Sequence, residues 1–101
     1  MGQDRELFVT DWYTPAVRRI SLDDLTVVTI AGGKQQQGHK DGQGGEAEFK
    51  FPRGITQLSN KDLIVADGGN HVLRQITPDG LVTTIAGISF FLFCLDLLFG
   101  V

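Results

Sequence analysis

Residues 63–88 repeat residues 7–33, and this duplication restricts the fold more than any other feature of the chain. Leu7, Val9, Asp11, Arg18, Ile20 and Asp23 return as Leu63, Val65, Asp67, Arg74, Ile76 and Asp79, at a constant offset of 56. One residue is then dropped, and Val27, Thr29, Ile30, Ala31 and Gly32 return as Val82, Thr84, Ile85, Ala86 and Gly87, at an offset of 55. Units of this length built from short β-favouring runs cannot bury their apolar sides alone; they stack, as the blades of a propeller do. The expected fold class is therefore all-β: a partial β-propeller of about two four-stranded antiparallel blades, the first incomplete. Roughly three or more such units are usually needed for stability, so 101 residues read as a piece of, or a product truncated from, a larger array.

The divisions follow composition. Residues 1–6 are a polar lead-in, and residues 7–32 are a first unit with β-favouring runs at 7–11, 16–21 and 25–31. Residues 33–48 hold five of the chain's 13 glycines and almost no apolar side chain, which predicts a solvated, flexible loop between units. Residues 49–87 form the second, complete unit, with strands expected near 54–58, 63–66, 71–77 and 81–86. Pro78-Asp79-Gly80 supplies a turn in which Pro presets φ and Gly permits positive φ. Residues 88–101 then abandon the pattern. They hold four of the seven Phe residues and no Lys, Arg, Pro or His, and read as an end foreign to the repeat, produced by alternative splicing, a retained intron or a gene-model error.

Composition excludes several function classes. A net charge of −3 without a basic stripe weighs against nucleic acid as a partner. The apolar end is shorter than the ~20 residues that span a bilayer, and Asp96 interrupts it, which weighs against a membrane. Cys94 is the only cysteine, so the chain holds neither an internal disulfide nor a Cys-rich zinc site. The polar start has no apolar signal region, which favours an intracellular location, and Glu6 stands where a myristoylation signal wants Ser or Thr.

Within the second unit, Val65-Ala66-Asp67-Gly68-Gly69-Asn70-His71-Val72-Leu73-Arg74-Gln75-Ile76 resembles the signature of NHL repeats, an Asp-x-x-Asn-His core before an alternating strand. The preceding Asp41-Gly42-x-Gly44-x-x-Ala47-x-Phe49-x-x-Pro52-x-Gly54-Ile55 is similar to the start of a blade in long-period members of that family. The first unit departs: Trp12-Tyr13-Thr14-Pro15 stands where Gly68-Gly69-Asn70-His71 stands in the second. The resemblance implies a propeller in which Asp67, Asn70, His71 and Arg74 act chiefly as blade-stabilising contacts.

The residues that invite chemistry have plainer readings. Asn70 suits left-handed backbone in a tight turn while bonding its own backbone, and His71 suits a hydrogen bond between strands. Without a nucleophile or a positioned carboxylate they meet no catalytic template. Asp11 and Asp67 could face a cation in a central channel, but a Ca²⁺ site wants six to eight oxygen ligands and one blade supplies one or two; turn capping explains their repetition. Asp41-Gly42-Gln43-Gly44-Gly45 lacks the Lys-Ser/Thr pair and following helix of a phosphate loop, and His39 and Lys40 within it read as solvated. Arg18 and Arg74 are candidate partner contacts or else packing cations. Trp12 and Tyr13, aromatics on a turn, are candidate recognition residues.

The functional expectation is a non-catalytic interaction or scaffolding module with a protein partner, or else one that self-associates or pairs with further blades. No cofactor or resident metal is expected. The alternative is a piece of a propeller lyase or hydrolase whose channel, completed by other blades, holds a metal. RNA binding through a basic face on other blades is a third.

Overall fold

A computed structural model of the protein describes residues 5–87. The polar start at residues 1–4 and the apolar end at 88–101 lie outside the described residues. Every regular element but one three-residue 3₁₀ turn is a strand, and the strands make two antiparallel sheets, the partial propeller that the repeat implies.

The first sheet has the order β1-β2-β3, with β1 Glu6–Asp11, β2 Ala16–Ser21 and β3 Val27–Gly32. The second has the order β4-β8-β7-β6-β5. It consists of β4 Gly42–Gln43, β5 Pro52–Gln57, β6 Leu63–Asp67, β7 Val72–Ile76 and β8 Leu81–Ala86. β6, β7 and β8 are thus the counterparts of β1, β2 and β3. Among the described residues β5 has no counterpart paired to β1.

Register repeats as well as sequence. In the first unit Val17 pairs with Ala31 and Arg18 with Thr29, leaving Ile30 as an extra residue. In the second, Leu73 pairs with Ala86 and Arg74 with Thr84, leaving Ile85 extra. A bulge of this kind re-aims the residues beside it, and both copies use it to set an arginine opposite a threonine.

The core lies between the sheets. Leu63, Val65, Ile76 and Val82 bury their side chains with Val17 and Ala31 of the first unit and with Ala47 and Phe49 of the connecting segment. Thr10 Oγ1 donates to Arg53 O at 2.7 Å and ties β1 to β5.

The segment between units is not the free loop that its glycines suggest. Gly42 and Gln43 add a two-residue strand to the outer edge of β8, Gly44–Glu46 turn once as a 3₁₀ helix, and Lys40 and Glu48 exchange backbone hydrogen bonds at 2.9 and 3.3 Å. Buried Ala47 and Phe49 anchor it. Two apolar side chains in the core outweigh the chain entropy of the glycines, and a covered edge leaves fewer unpaired backbone groups.

Candidate interaction surface

The strongest polar constellation sits in the second unit. Asp67 ends β6 with its carboxylate fully buried. It accepts hydrogen bonds from Lys50 N–H at 2.8 Å, the Asn70 side-chain amide at 2.7 Å and Arg74 Nη1 at 2.7 Å. Arg74, also fully buried, donates in addition to Glu48 O, Lys40 O and the Asp41 carboxylate at 2.7–3.0 Å. Its guanidinium carbon lies 4.9 Å from the centroid of the Phe49 ring. Asp41 closes the clamp on β8 by accepting from Thr84 N–H at 3.0 Å and Thr84 Oγ1 at 2.9 Å. Burial alone would raise the Asp41 pKa, but the Thr84 hydroxyl and amide and the Arg74 charge outweigh it and hold the carboxyl below its ordinary value.

This geometry corrects two sequence expectations. Arg74 is out of a partner's reach, because four acceptors and an aromatic ring enclose it. The left-handed residue of the β6–β7 turn is His71, at φ 59°; Asn70 instead reaches from the turn to Gly38 O at 2.8 Å and pins the inter-unit segment. His39 is exposed, as expected, with its Nε2 3.2 Å from Thr84 Oγ1 on the same seam.

In the first unit the same residues are looser. Arg18 Nε and Nη2 donate to Asp11 Oδ2 at 3.2 and 3.0 Å, in a pair whose side chains keep 25% and 31% of their exposure. Asp11 Oδ1 folds back onto its own turn, accepting from the N–H groups of Thr14 and Tyr13. Those bonds, the Thr14 N–H first, outweigh desolvation and hold the Asp11 carboxyl below its ordinary value.

That self-contained turn explains the substitution of two glycines by Trp12 and Tyr13. At the second turn the backbone of Lys50 and Phe51 presses close: Gly68 N–H donates to Phe51 O at 3.1 Å and Gly69 N–H to Lys50 O at 2.7 Å. A Cβ on Gly69 would stand 2.7 Å from that Lys50 oxygen. No described segment crosses the first turn, so large side chains fit there.

Trp12 and Tyr13 are 53% and 95% exposed. Two further residues join them. The Phe51 ring meets Trp12 edge-on at 6.0 Å, and the Arg53 guanidinium sits 5.5 Å from the Trp12 ring centroid. Trp12, Phe51, Arg53, Gly68 and Gly69 line an open concavity of about 300 Å³. Phe51 is itself exposed and held at φ 51°, a conformation that costs a non-glycine residue about 1–2 kcal/mol. Sequence reasoning missed Phe51 and Arg53; their one visible signal was the loss of the two glycines at the facing turn.

Comparison with known proteins bears on what this frame is. The NHL repeat family model matches residues 49–76. NHL repeat-containing protein 2 of Homo sapiens is 35% identical over 89 residues, 80% of this chain, and the Gallus gallus protein of that name is 42% identical over 71 residues, 69% of this chain. The chain belongs to the NHL-repeat proteins. It spans 12% of the human relative and 10% of the chicken one. Similarity extends to the Arabidopsis thaliana protein SUPPRESSOR OF QUENCHING 1, chloroplastic, at 35% identity over 76 residues, 74% of this chain and 7% of that protein. Among solved structures, a Bacteroides thetaiotaomicron protein of unknown function superposes with a TM-score of 0.72 at 28% identity, covering 81% of this chain and 21% of its own. An auxiliary nutrient binding protein of the same organism superposes with a TM-score of 0.70 at 24% identity, covering 81% and 23%.

The matched NHL repeat contains Asp67, Asn70, His71 and Arg74, whereas Trp12, Tyr13, Arg18 and the Asp41 segment lie outside it. Among the described residues no three His, Cys, Asp or Glu side chains gather as a metal site. Asp67, considered above as a channel ligand, spends its carboxylate on three donors of its own unit. Among the described residues, too, no helix is long and apolar enough to cross a membrane.

Proposed function

We propose that this NHL-repeat chain is a non-catalytic protein-interaction module whose contact face is the cluster of Trp12, Tyr13, Phe51 and Arg53. The observation that carries the reading is the convergence, from both units, of two exposed aromatic side chains, Trp12 and Phe51, and of Arg53 around one open concavity, with exposed Tyr13 next to Trp12 in the chain. Aromatic residues and arginine dominate the energetics of protein contacts, because they bring large area at low rotamer cost and a cation that stacks. The rings are positioned by backbone at a turn and at the start of β5, so little ordering remains for binding to impose. A partner peptide with an apolar anchor and a nearby carboxylate suits an aromatic floor beside Arg53.

The test is selection of ligands from a random peptide library on the full chain, followed by titration against variants. Ligands that lose about tenfold or more in affinity on Trp12→Ala, and that keep it on Lys61→Ala, support the assignment. Ligands indifferent to Trp12, or no ligands at all, overturn it.

A further inference from the structure

Asp41-Gly42, Asp67-Gly68 and Asp79-Gly80 are the three Asp-Gly pairs of the chain, and the fold holds them unequally. An aspartate that precedes a glycine can rearrange. The glycine backbone nitrogen attacks the carbonyl carbon of the side-chain carboxyl, an approach that a Cβ on the following residue would crowd. The new bond closes a five-membered succinimide, and the carboxyl hydroxyl leaves with the amide proton as water. Water then opens the ring. Cleavage between the nitrogen and the side-chain carbonyl restores aspartate. Cleavage between the nitrogen and the main-chain carbonyl leaves isoaspartate, whose backbone runs through the β-carbon. One water leaves and one returns, so neither mass nor oxidation state changes.

Two of the pairs are locked. The Asp67 carboxylate is fully buried and accepts from Lys50 N–H, Asn70 and Arg74, and Gly68 N–H donates to Phe51 O. The Asp41 carboxylate accepts from Arg74 and from the amide and hydroxyl of Thr84, and Gly42 is paired with β8. Freeing either carboxylate for attack means dismantling the clamp around Arg74.

Asp79 is exposed. Among the described residues, the one hydrogen bond its carboxylate accepts comes from the Thr77 hydroxyl, two residues back. Gly80 N–H donates to Thr77 O of the same turn at 2.9 Å. Opening this turn is a local fluctuation, and local openings range from almost no cost at loop tips to the full unfolding free energy in the core. The exposure belongs to the turn's place in the unit. Asp23, Asp24 and Leu25 of the equivalent turn are exposed as well, with the second unit present beyond them.

The same turn holds the inter-unit segment in place. Gly44 N–H donates to Gly80 O at 2.7 Å, and the Gln43 side-chain amide donates to Asp79 O. A Cβ on Gly80 would stand 3.0 Å from Ile30 O, so the turn has little room to shift. From these observations we infer that Asp79 is a site of isoaspartate formation in the folded chain, and that its conversion loosens the inter-unit segment. Conversion turns the Asp79 main-chain carbonyl into a free carboxylate and inserts a methylene into the backbone before Gly80. Both acceptors that anchor Gln43 and Gly44 are thereby displaced. This site stands apart from the aromatic face and is independent of the function proposed there.

Ageing of the full chain at neutral pH, folded in buffer and unfolded in concentrated urea, tests the assignment. Digestion with a protease that cuts before aspartate but not before isoaspartate, read by mass spectrometry, locates each converted residue. In the folded chain Asp79 should convert at least about tenfold faster than Asp41 or Asp67, since only its turn opens locally. In urea the three should convert at similar rates. Hydrogen exchange on the aged folded chain should show the Gly44 amide losing protection in proportion to the converted fraction. A folded chain that forms no isoaspartate at Asp79 while the unfolded chain does would overturn the proposal. So would conversion of Asp41 or Asp67 as fast as Asp79 in the folded chain, or Gly44 protection that conversion leaves unmoved.

Discussion

Replacing Asp67 by Asn is expected to cost the fold far more than replacing Asp11 by Asn, although the two residues end equivalent strands. Both Asp67 and Arg74 have fully buried side chains, and the Asp67 carboxylate accepts three hydrogen bonds. An amide at that position presents N–H groups to donors and leaves Arg74 with one carboxylate, Asp41, which is itself 46% exposed. Removing one partner of a buried ion pair costs about 3–5 kcal/mol; the remaining Asp41 charge places D67N near 3 kcal/mol, the lower end of that range.

Asp11→Asn is milder. Its pair with Arg18 keeps a quarter or more of its exposure on both sides, where an ion pair contributes about 0–1 kcal/mol. The amide oxygen can still accept from the Tyr13 and Thr14 N–H groups. Thermal unfolding of both full-length variants, followed by far-UV circular dichroism, measures the difference. For a domain of this size 1 kcal/mol moves Tm by about 4–8 °C, so D67N should fall by about 12 °C or more and D11N by less than ~8 °C. Equal losses would refute the reasoning, because they would mean that burial of the second clamp contributes nothing.

Three further outcomes follow from the same geometry. Gly69→Ala forces a Cβ to within 2.5 Å of Lys50 Cγ and 2.7 Å of Lys50 O and should destabilise by about 1–3 kcal/mol in urea, whereas Tyr13→Ala at the equivalent, exposed position should stay within ~0.5 kcal/mol. Leu25, 73% exposed at φ 63°, holds the place that Gly80 fills at φ 95°. Leu25→Gly should therefore stabilise by about 0.5–1 kcal/mol, strain relief exceeding the added unfolded-chain entropy. The lowered pKa values of Asp11, Asp24 and Asp41 give a definite sign. Groups depressed in the folded state contribute stability that is present above the unfolded Asp value of about 3.9 and lost as pH falls through the folded values. Thermal melts should show this contribution unchanged from neutral pH to about 4 and declining below it.

The sequence carried the strands and their order, because β-branched runs bounded by Asp, Pro and Gly turns mark them twice over. Residues 16–21 and 81–86 were readable to the residue. What it concealed was long-range. The segment at 33–48 has the composition of a free loop, and nothing local shows that Asp41 meets Thr84 or that Asn70 meets Gly38, pairs 43 and 32 residues apart. Arg18 and Arg74 look alike as residues, yet differ in burial because a neighbouring segment covers only the second. Trp12 and Tyr13 were legible as misfits at a glycine turn. Phe51 and Arg53 were not, since their part in the cluster depends on how the two sheets meet.

Hydrogen exchange at two backbone amides, Thr84 and Thr29, tests most directly the claim that Asp41 holds the clamp of the second unit and that no described residue takes its place in the first. In the full chain the Thr84 amide should exchange slowly, held by Asp41, and the Thr29 amide, which meets no such carboxylate among the described residues, should exchange faster. Asp41→Asn should raise the Thr84 rate and leave Thr29 unchanged. Equal protection of the two amides, or a Thr84 rate indifferent to Asp41, would contradict the account.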